Sequence, residues 1–209
     1  MVHRREVNGE AVVFGNQGAL WGNAMTWWDH DTGSVWSQPL GEAILGPRKG
    51  ERLELLPSSL TTWDDWTGRH PETAALDAPN ASVGRHLDDV MLAVQIGSDV
   101  VAFPVPDVRA AGVVNARVGD APVAVVVQGD DWMVYSRTIE GGVVELEVTG
   151  TVLQERAGSA QFEALSGLAV TGESQLAPLP AFTVFPEDYP TFFPQGFVWT
   201  PSGLVSATG

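Results

Sequence analysis

Six acids and imidazoles in the first third of the chain are the side chains best suited to chemistry: Asp29, His30, Asp31, Asp64, Asp65 and His70. Carboxylates and imidazoles together bind divalent cations or act as general acids and bases. Their spacing matches no ligand signature, because DHDTGS lacks the next glycine and the distant glutamate of an EF-hand loop, and no histidine pair has the zincin helix spacing. A hydrogen-bonded turn over residues 29–34 is the simpler interpretation, since Asp, Thr and Ser side chains bond to turn amides. Asp64 and Asp65 suit the first turn of a helix, where the dipole favours acids.

Tryptophan is concentrated in the same region, which holds six of the eight in the chain: Trp21, Trp27, Trp28, Trp36, Trp63 and Trp66. Indoles that line a cleft would bind sugars or other flat ligands. The same indoles inside a sheet would form its core, and tryptophan is highly buried on average. We expect the core arrangement, with Trp36 buried beside the turn at residues 29–34.

Several classes of chemistry are disfavoured. The chain has no cysteine, which excludes disulfides, thiolate metal sites and thiol catalysis. A net charge of -15 disfavours nucleic acids and anionic membranes as partners, because such surfaces attract clustered Lys and Arg. The repeated Gly-x-Ala-x-x-Gly does not lie between a strand and a long helix, as a nucleotide loop would. Nothing in the sequence brings Ser34, Asp65 and His70 together as a triad.

An internal repeat is the main feature of organisation. Residues 3–20 align without gaps on residues 135–152, pairing Gly9 with Gly141, and GEAILG at 41–46 and RLELLP at 52–57 align on GLAVTG at 167–172 and QLAPLP at 175–180. In this alignment the polar and aromatic residues of the first repeat face different types in the second: Asp29, Asp31, Trp36 and Gln38 face Gln154, Arg156, Gln161 and Glu163. The first repeat is therefore the better candidate for a site.

Short strands joined by two-residue turns predict the elements around these residues. Turns are expected at residues 8–9, 97–98, 119–120 and 140–142, and short helices within residues 60–73 and 106–112. We predict a mainly β protein in which two diverged repeats of antiparallel strands form a sandwich or distorted barrel with two short helices. The first repeat would span residues 1–76, a linker 77–90, the second repeat 91–199 and a frayed tail 200–209, with both repeats fused into one globular unit.

A family resemblance rests on residues 29–53. Asp-x-x-Thr-Gly-Ser-x-Trp-Ser-Gln, followed by Gly-x-Ala-x-x-Gly-Pro-x-x-Gly-x-x-Leu, resembles the domain of unknown function 3179, with His30 where the family usually has Arg. Residues 61–73 and 91–127 also resemble it. In the family a strand like residues 122–127 runs into a Cys-Pro-Leu-Cys element, which implies redox or metal chemistry. QGDDW at residues 128–132 replaces that element here, so we expect a plain polar turn without thiol chemistry.

The N-terminus has no apolar signal segment, and no stretch approaches the roughly 20 apolar residues of a membrane span. We expect a soluble chain without a transmembrane segment. The second repeat is preceded by a strand at residues 122–127, whereas the first begins at residue 3. The sequence leaves the location open: loss of a leading strand, and with it a signal peptide, would indicate a secreted or cell-surface protein.

Two functions remain open. The first is a non-enzymatic binding or structural domain that engages a small ligand or a protein partner through the first repeat. Its site would comprise Asp29, His30, Asp31, Trp36, Gln38 and His70, without catalytic residues, a metal or a cofactor. The second is a metal-assisted or hydrolytic enzyme that uses Asp29, Asp31 and His70.

Overall fold

The computed structural model describes residues 1–75 and 87–209, and these residues form several antiparallel sheets with short helices. The mainly β class and its sandwich-like packing are confirmed. The N-terminal part, residues 1–57, is called the first unit; its strands are β1 (Glu6–Val7), β2 (Glu10–Ala11), β3 (Phe14–Trp21), β4 (Ala24–Asp29), β5 (Val35–Ser37) and β6 (Glu42–Leu45). Helix α1 (Trp63–Arg69) follows it, where the sequence predicts a short helix.

The middle of the chain forms two central sheets. Its elements are β7 (Met91–Ile96), β8 (Asp99–Pro104), α2 (Val105–Ala111), β9 (Val113–Val118), β10 (Ala121–Gln128) and β11 (Asp131–Ser136). Strands β9 to β11 make a three-stranded sheet, whereas β7 and β8 belong to a five-stranded sheet completed by the C-terminal strands. The predicted turns at residues 97–98, 119–120 and 129–130 join these strands as two-residue hairpins.

The second unit, residues 135–180, and the C-terminal strands complete the fold. They contain β12 (Thr138–Ile139), β13 (Gly142–Val143), β14 (Leu146–Thr149), β15 (Val152–Glu155), β16 (Gln161–Glu163), β17 (Ala181–Val184), α3 (Tyr189–Phe192), β18 (Phe197–Thr200) and β19 (Gly203–Ser206). Strand β17 pairs with β7, and β18 runs parallel to β8. Helix α3 was not predicted. The tail prediction is wrong for residues 203–206, because β19 pairs with β18.

Alternation along the central strands decides where the core lies. In β7, Leu92 and Val94 face the cluster between the two central sheets, whereas Met91 and Ala93 face outward to α3 and the first unit. In β10, Val125 points into the same central cluster, and Ala124 and Val126 pack against the second unit. Successive side chains of a strand point to opposite faces, so fully apolar strands are buried on both sides. Each central sheet is thus covered on its outer face by one unit.

The two units share a hydrogen-bond pattern. Strands β1 and β2 pair Glu6 with Ala11, and β12 and β13 pair Thr138 with Val143 in the same register. Both turns have two residues at positive φ, Asn8–Gly9 and Glu140–Gly141, as the type I′ turn requires. Gly9 and Gly141 are therefore the second residues of two turns with the same geometry.

The alignment is wrong by one residue between positions 29 and 38. Strand β5 pairs Trp36 with Trp27 of β4, and the corresponding pair in β16 and β15 is Phe162 with Leu153. Phe162, rather than Gln161, is therefore the counterpart of Trp36. By the same register Glu155 is the counterpart of Asp29, so the second unit retains an acid and an aromatic residue at these two positions.

A contact between a ring and a carbonyl oxygen occurs in both units. The His3 Nε2 atom lies 3.0 Å from the carbonyl oxygen of Gln38, and the Tyr135 hydroxyl donates to the carbonyl oxygen of Ala164, the counterpart of Gln38, at 3.1 Å. The ring packs on a glycine each time: a Cβ atom on Gly41 would lie 2.6 Å from the ring of His3, and one on Gly167 would lie 2.7 Å from that of Tyr135. Only glycine fits these positions.

The predicted linker at residues 77–90 lies largely outside the described residues. Within its described end, residues 87–89 form a 3-10 helix and Val90 is buried in the central cluster, so this end belongs to the folded body. In the described part of the chain, no helix combines the length and apolar character needed to cross a membrane.

We predict that Gly167→Ala destabilises the protein more than Gly129→Ala does. Both glycines have positive φ, which costs alanine about 1 kcal/mol. Gly129 has open space around it, whereas the new methyl group at Gly167 would overlap the Tyr135 ring and add about 1–3 kcal/mol. Urea unfolding of the two variants measures the difference, and equal losses would contradict the packing role of Gly167.

Candidate functional site

The carboxylate of Asp29 is the centre of the candidate site. Asp29 ends β4 and is fully buried. Its Oδ1 accepts from the amide of Thr32 at 2.7 Å and from the Thr32 hydroxyl at 2.9 Å, and its Oδ2 accepts from the indole N–H of Trp36 at 2.9 Å. The predicted turn at residues 29–34 is thus present, and its backbone closes through the Asp29 amide donating to the Ser34 carbonyl.

A second layer ties the turn to the loop after β6. The hydroxyls of Thr32 and Ser34 lie 2.7 Å apart, and the amide of Arg48 donates to the Ser34 hydroxyl at 3.0 Å. The Arg48 guanidinium then reaches the exposed carboxylate of Asp31 at 3.4 Å. Loop residues 46–51 are therefore held against the turn by side-chain contacts at both ends of Arg48.

These contacts set the protonation of Asp29. Burial raises the pKa of its carboxyl, but hydrogen bonds from Trp36 and Thr32, with the positive charge of Arg48, more than offset burial and lower the pKa below the ordinary value of 3.8. Asp29 is therefore a charged acceptor at neutral pH, not a proton donor.

Trp36 is a core residue, as predicted. It has no exposed surface, and its ring meets that of Phe14 edge-on at 5.4 Å between centroids. The core expectation is wrong for other tryptophans: Trp21, Trp63 and Trp66 have relative exposures of 43%, 53% and 38%. Their rings contact Phe192 in the case of Trp21 and His70 in the case of Trp66.

The remaining predicted site residues lie in different surroundings. His30 is exposed and stacks on Trp28, with ring centroids 4.3 Å apart and planes 5° apart. Asp31 is exposed beside Arg48. Gln38 is half-buried, and its backbone amide donates to the carbonyl oxygen of Met25 in the neighbouring strand. His70 follows α1 and contacts Trp66 with ring centroids 4.0 Å apart. The structure joins Asp29 to Trp36, and Asp31 to the same turn through Arg48, but places His70 on another element.

Among residues 1–75 and 87–209, no group of three or more His, Asp and Glu side chains is arranged to hold a metal ion. The segment at residues 128–132, predicted as a plain polar turn, contains the turn at Gly129 and Asp130 between β10 and β11. This turn is as plain as expected, but Asp131 after it is buried and ion-paired with Arg69 of α1 at 3.3 Å.

A row of side chains that sequence reasoning missed crosses the outer face of the first unit's sheet. Direct strand pairing aligns Gly15, Trp28, Val35 and Leu45 on β3 to β6. Directly paired residues point to the same face. A Cβ atom on Gly15 would lie 2.6 Å from the indole nitrogen of Trp28, so glycine makes room for the Trp28–His30 stack. We call these residues with His30 the aromatic row.

The second unit has a polar row at the same place. Glu147, Gln154 and Gln161 are paired across β14 to β16, and the amides of Gln161 and Gln154 lie 3.5 Å apart on one face. The adjacent pair Trp27–Trp28 was the available signal for the aromatic row. In a strand one of two neighbours must point outward, and here Trp27 joins the core cluster while Trp28 carries the stack.

We predict that Trp36→Ala lowers the free energy of unfolding by about 3–5 kcal/mol, because it leaves a cavity and removes a donor from Asp29. Trp63→Ala is the control; this half-exposed indole should cost no more than about 0.5 kcal/mol. Denaturant unfolding followed by circular dichroism compares them. A Trp36→Ala variant as stable as the parent protein would contradict the buried role of this indole.

We predict that Asp29→Asn destabilises by about 1.5–3 kcal/mol at neutral pH, the range for hydrogen bonds to charged groups. Because the folded pKa lies below the ordinary 3.8, the carboxylate's contribution is complete above that value and lost as pH falls further. The gap between parent and variant should therefore narrow in acid. Asp31→Asn, which removes an exposed carboxylate, should cost less than about 1 kcal/mol. A pH-independent gap for Asp29→Asn would contradict the charged state.

Comparison with known proteins adds one finding. No curated protein and no solved structure shows significant similarity to the chain. A family match covers residues 1–86, which include the whole first unit and α1, and ends before the predicted similarity at residues 91–127. Over residues 1–86, the chain is similar to the family described as "Protein of unknown function (DUF3179)".

Proposed function

We propose that this protein is a non-enzymatic binding domain whose contact surface is the aromatic row of the first unit. The observation that carries the proposal is the Trp28–His30 stack seated over Gly15. It gives the outer sheet face a flat aromatic ring pair next to Val35 and Leu45, and Leu45 is 60% exposed. Trp28 and Val35 are half-buried, so three partly or fully exposed apolar side chains lie side by side, which is typical of contact surfaces for ligands or partner proteins.

The predicted site residues divide between this surface and its support. His30 belongs to the aromatic row, and Asp31 with Arg48 lies at the adjacent turn. Asp29 and Trp36 hold the turn between β4 and β5 from the opposite face, and the Gln38 amide bonds to Met25 at the other end of the strand pair. His70 with Trp66 forms a separate exposed aromatic pair on α1. In this proposal His30 and Asp31 contact the ligand, and Asp29 and Trp36 position the turn that carries them. Gln38 is structural and His70 is peripheral.

We also infer that the two units are diverged copies of one β unit. Their hairpin registers and ring-to-carbonyl contacts correspond position by position. The first unit alone of the two places an aromatic stack and apolar residues on the outer face, where the second unit has Glu147, Gln154 and Gln161. A contact surface that belongs to one copy explains this difference without requiring a change of fold.

The enzymatic alternative has less support. A metal-assisted or hydrolytic site needs Asp29, Asp31 and His70 to meet around a substrate. The Asp29 carboxylate is instead occupied by donors from Thr32 and Trp36, and His70 contacts Trp66 on α1. These contacts favour binding over catalysis.

We predict that flat aromatic probes bind at the aromatic row. Indole and quinoline, titrated into isotopically labelled protein, should shift the indole N–H resonance of Trp28 and the ring resonances of His30 more than those of Trp63 and His70. Leu45→Glu should weaken the binding at least about tenfold, because it places a charge in the apolar contact. Thr171→Glu adds the same charge at the corresponding position of the second unit and should leave binding unchanged.

Sedimentation velocity separates a small ligand from a second copy of the chain as occupant. A concentration-dependent dimer that Leu45→Glu dissolves and Thr171→Glu preserves would support a protein contact at the aromatic row. Probe shifts confined to α1 or to the second unit, with a monomer throughout, would overturn the proposal.

A further inference from the structure

A large cavity lies in the second unit, away from the aromatic row. Its volume is about 450 Å³, and it opens between the β12–β13 hairpin and the ends of β15 and β16. Phe162 forms an apolar wall, and polar side chains that include Glu140, Glu155, Gln161 and Gln175 line the rest. No lysine, arginine or histidine is among these lining residues. The cavity therefore offers acceptors and negative charge without an internal cation.

The first unit shows what occupies the neighbourhood of its own acid. Loop residues 46–51 follow β6 and return to it, where the amide of Ala43 donates to the Glu51 carbonyl and the amide of Gly50 donates to the Ala43 carbonyl. Within this loop, the amide of Arg48 donates to the Ser34 hydroxyl, and the positive charge of Arg48 lowers the pKa of Asp29. The corresponding segment of the second unit is residues 172–174, three residues against six. The shorter segment carries no arginine.

The aromatic residue beside the acid also differs between the two units, and the second unit again has the smaller group. Phe162 stands where the first unit has Trp36, so the ring is smaller and has no N–H to donate. Glu155 stands where Asp29 accepts three donors, and within the described residues no side chain donates to its carboxylate. A Cβ atom on Gly158 would overlap this carboxylate, which shows that Glu155 folds back over the turn at the cavity wall.

We propose that this cavity binds a small organic cation that carries a guanidinium or primary amine group. The cation would take, at Glu155, the electrostatic part that Arg48 plays beside Asp29 in the first unit. Glu140, at the tip of the β12–β13 hairpin, also lines the cavity and supplies a second carboxylate. Charge-assisted hydrogen bonds to the two carboxylates provide the affinity, and the net charge of -15 favours approach of a cation.

Calorimetric titration of the full chain with agmatine, a compound with a guanidinium at one end and an amine at the other, tests this proposal. Butylurea, which is neutral and similar in shape at the guanidinium end, is the matched probe. We expect agmatine to bind and butylurea not to bind at millimolar concentrations. Equal binding of the two compounds, or no heat from agmatine, would overturn the proposal.

Variants locate the binding. Glu155→Gln and Glu140→Gln should each weaken agmatine at least about tenfold, because each removes a charged acceptor. Glu187→Gln removes the same charge from an exposed position outside the cavity and should change affinity less than about twofold, because salt screens distant charges. Thermal unfolding checks that each variant folds, and Glu140→Gln serves if Glu155→Gln does not. Unchanged affinity in a folded Glu140→Gln or Glu155→Gln variant would overturn the assignment. The result is independent of the aromatic row, since Leu45→Glu should bind agmatine normally.

Discussion

The buried carboxylate of Asp29 is the constraint on which the first unit depends. A negative charge without water is tolerated only where donors replace its hydration, and here a backbone amide, a hydroxyl and an indole N–H do so. The same bonds let Trp36 bury its whole ring with its polar atom satisfied. They also fix the turn between β4 and β5, which sets the register that brings Trp28 and Val35 side by side on the outer face.

The two units show how one backbone frame carries different surfaces. Strand lengths, turns and the contact of a ring with a carbonyl oxygen are common to both. In the first unit, Trp36 and the longer loop with Arg48 complete the packing around the acid. In the second, Phe162 and the shorter loop leave a cavity of about 450 Å³. The surfaces differ because loop length and ring size are free to change while hydrogen-bond register is not.

The sequence predicts turns and short helices correctly where the interactions that form them are local. The turn at Asn8–Gly9 and the helix before Gly112 depend on residues close in sequence, and both are present. The site was read less well. An alignment shifted by one residue paired Trp36 with Gln161, and it hid the acid at Glu155, because a shift by one exchanges the two faces of a strand. Trp28 departs from the core expectation because the average burial of tryptophan does not indicate which of two neighbours in a strand faces outward.

The sequence by itself determined the β class, the repeated turns, the burial of Trp36 and the absence of thiol chemistry, since these follow from residue type and periodicity. Only the tertiary structure decided that β17 pairs with β7 and β18 with β8, because such pairings join segments far apart in the chain. It also decided which acids stand alone. Asp29 and Glu155 are acids at matching positions of two similar strand pairings, and their surroundings differ: three donors around the first, and an open cavity beside the second.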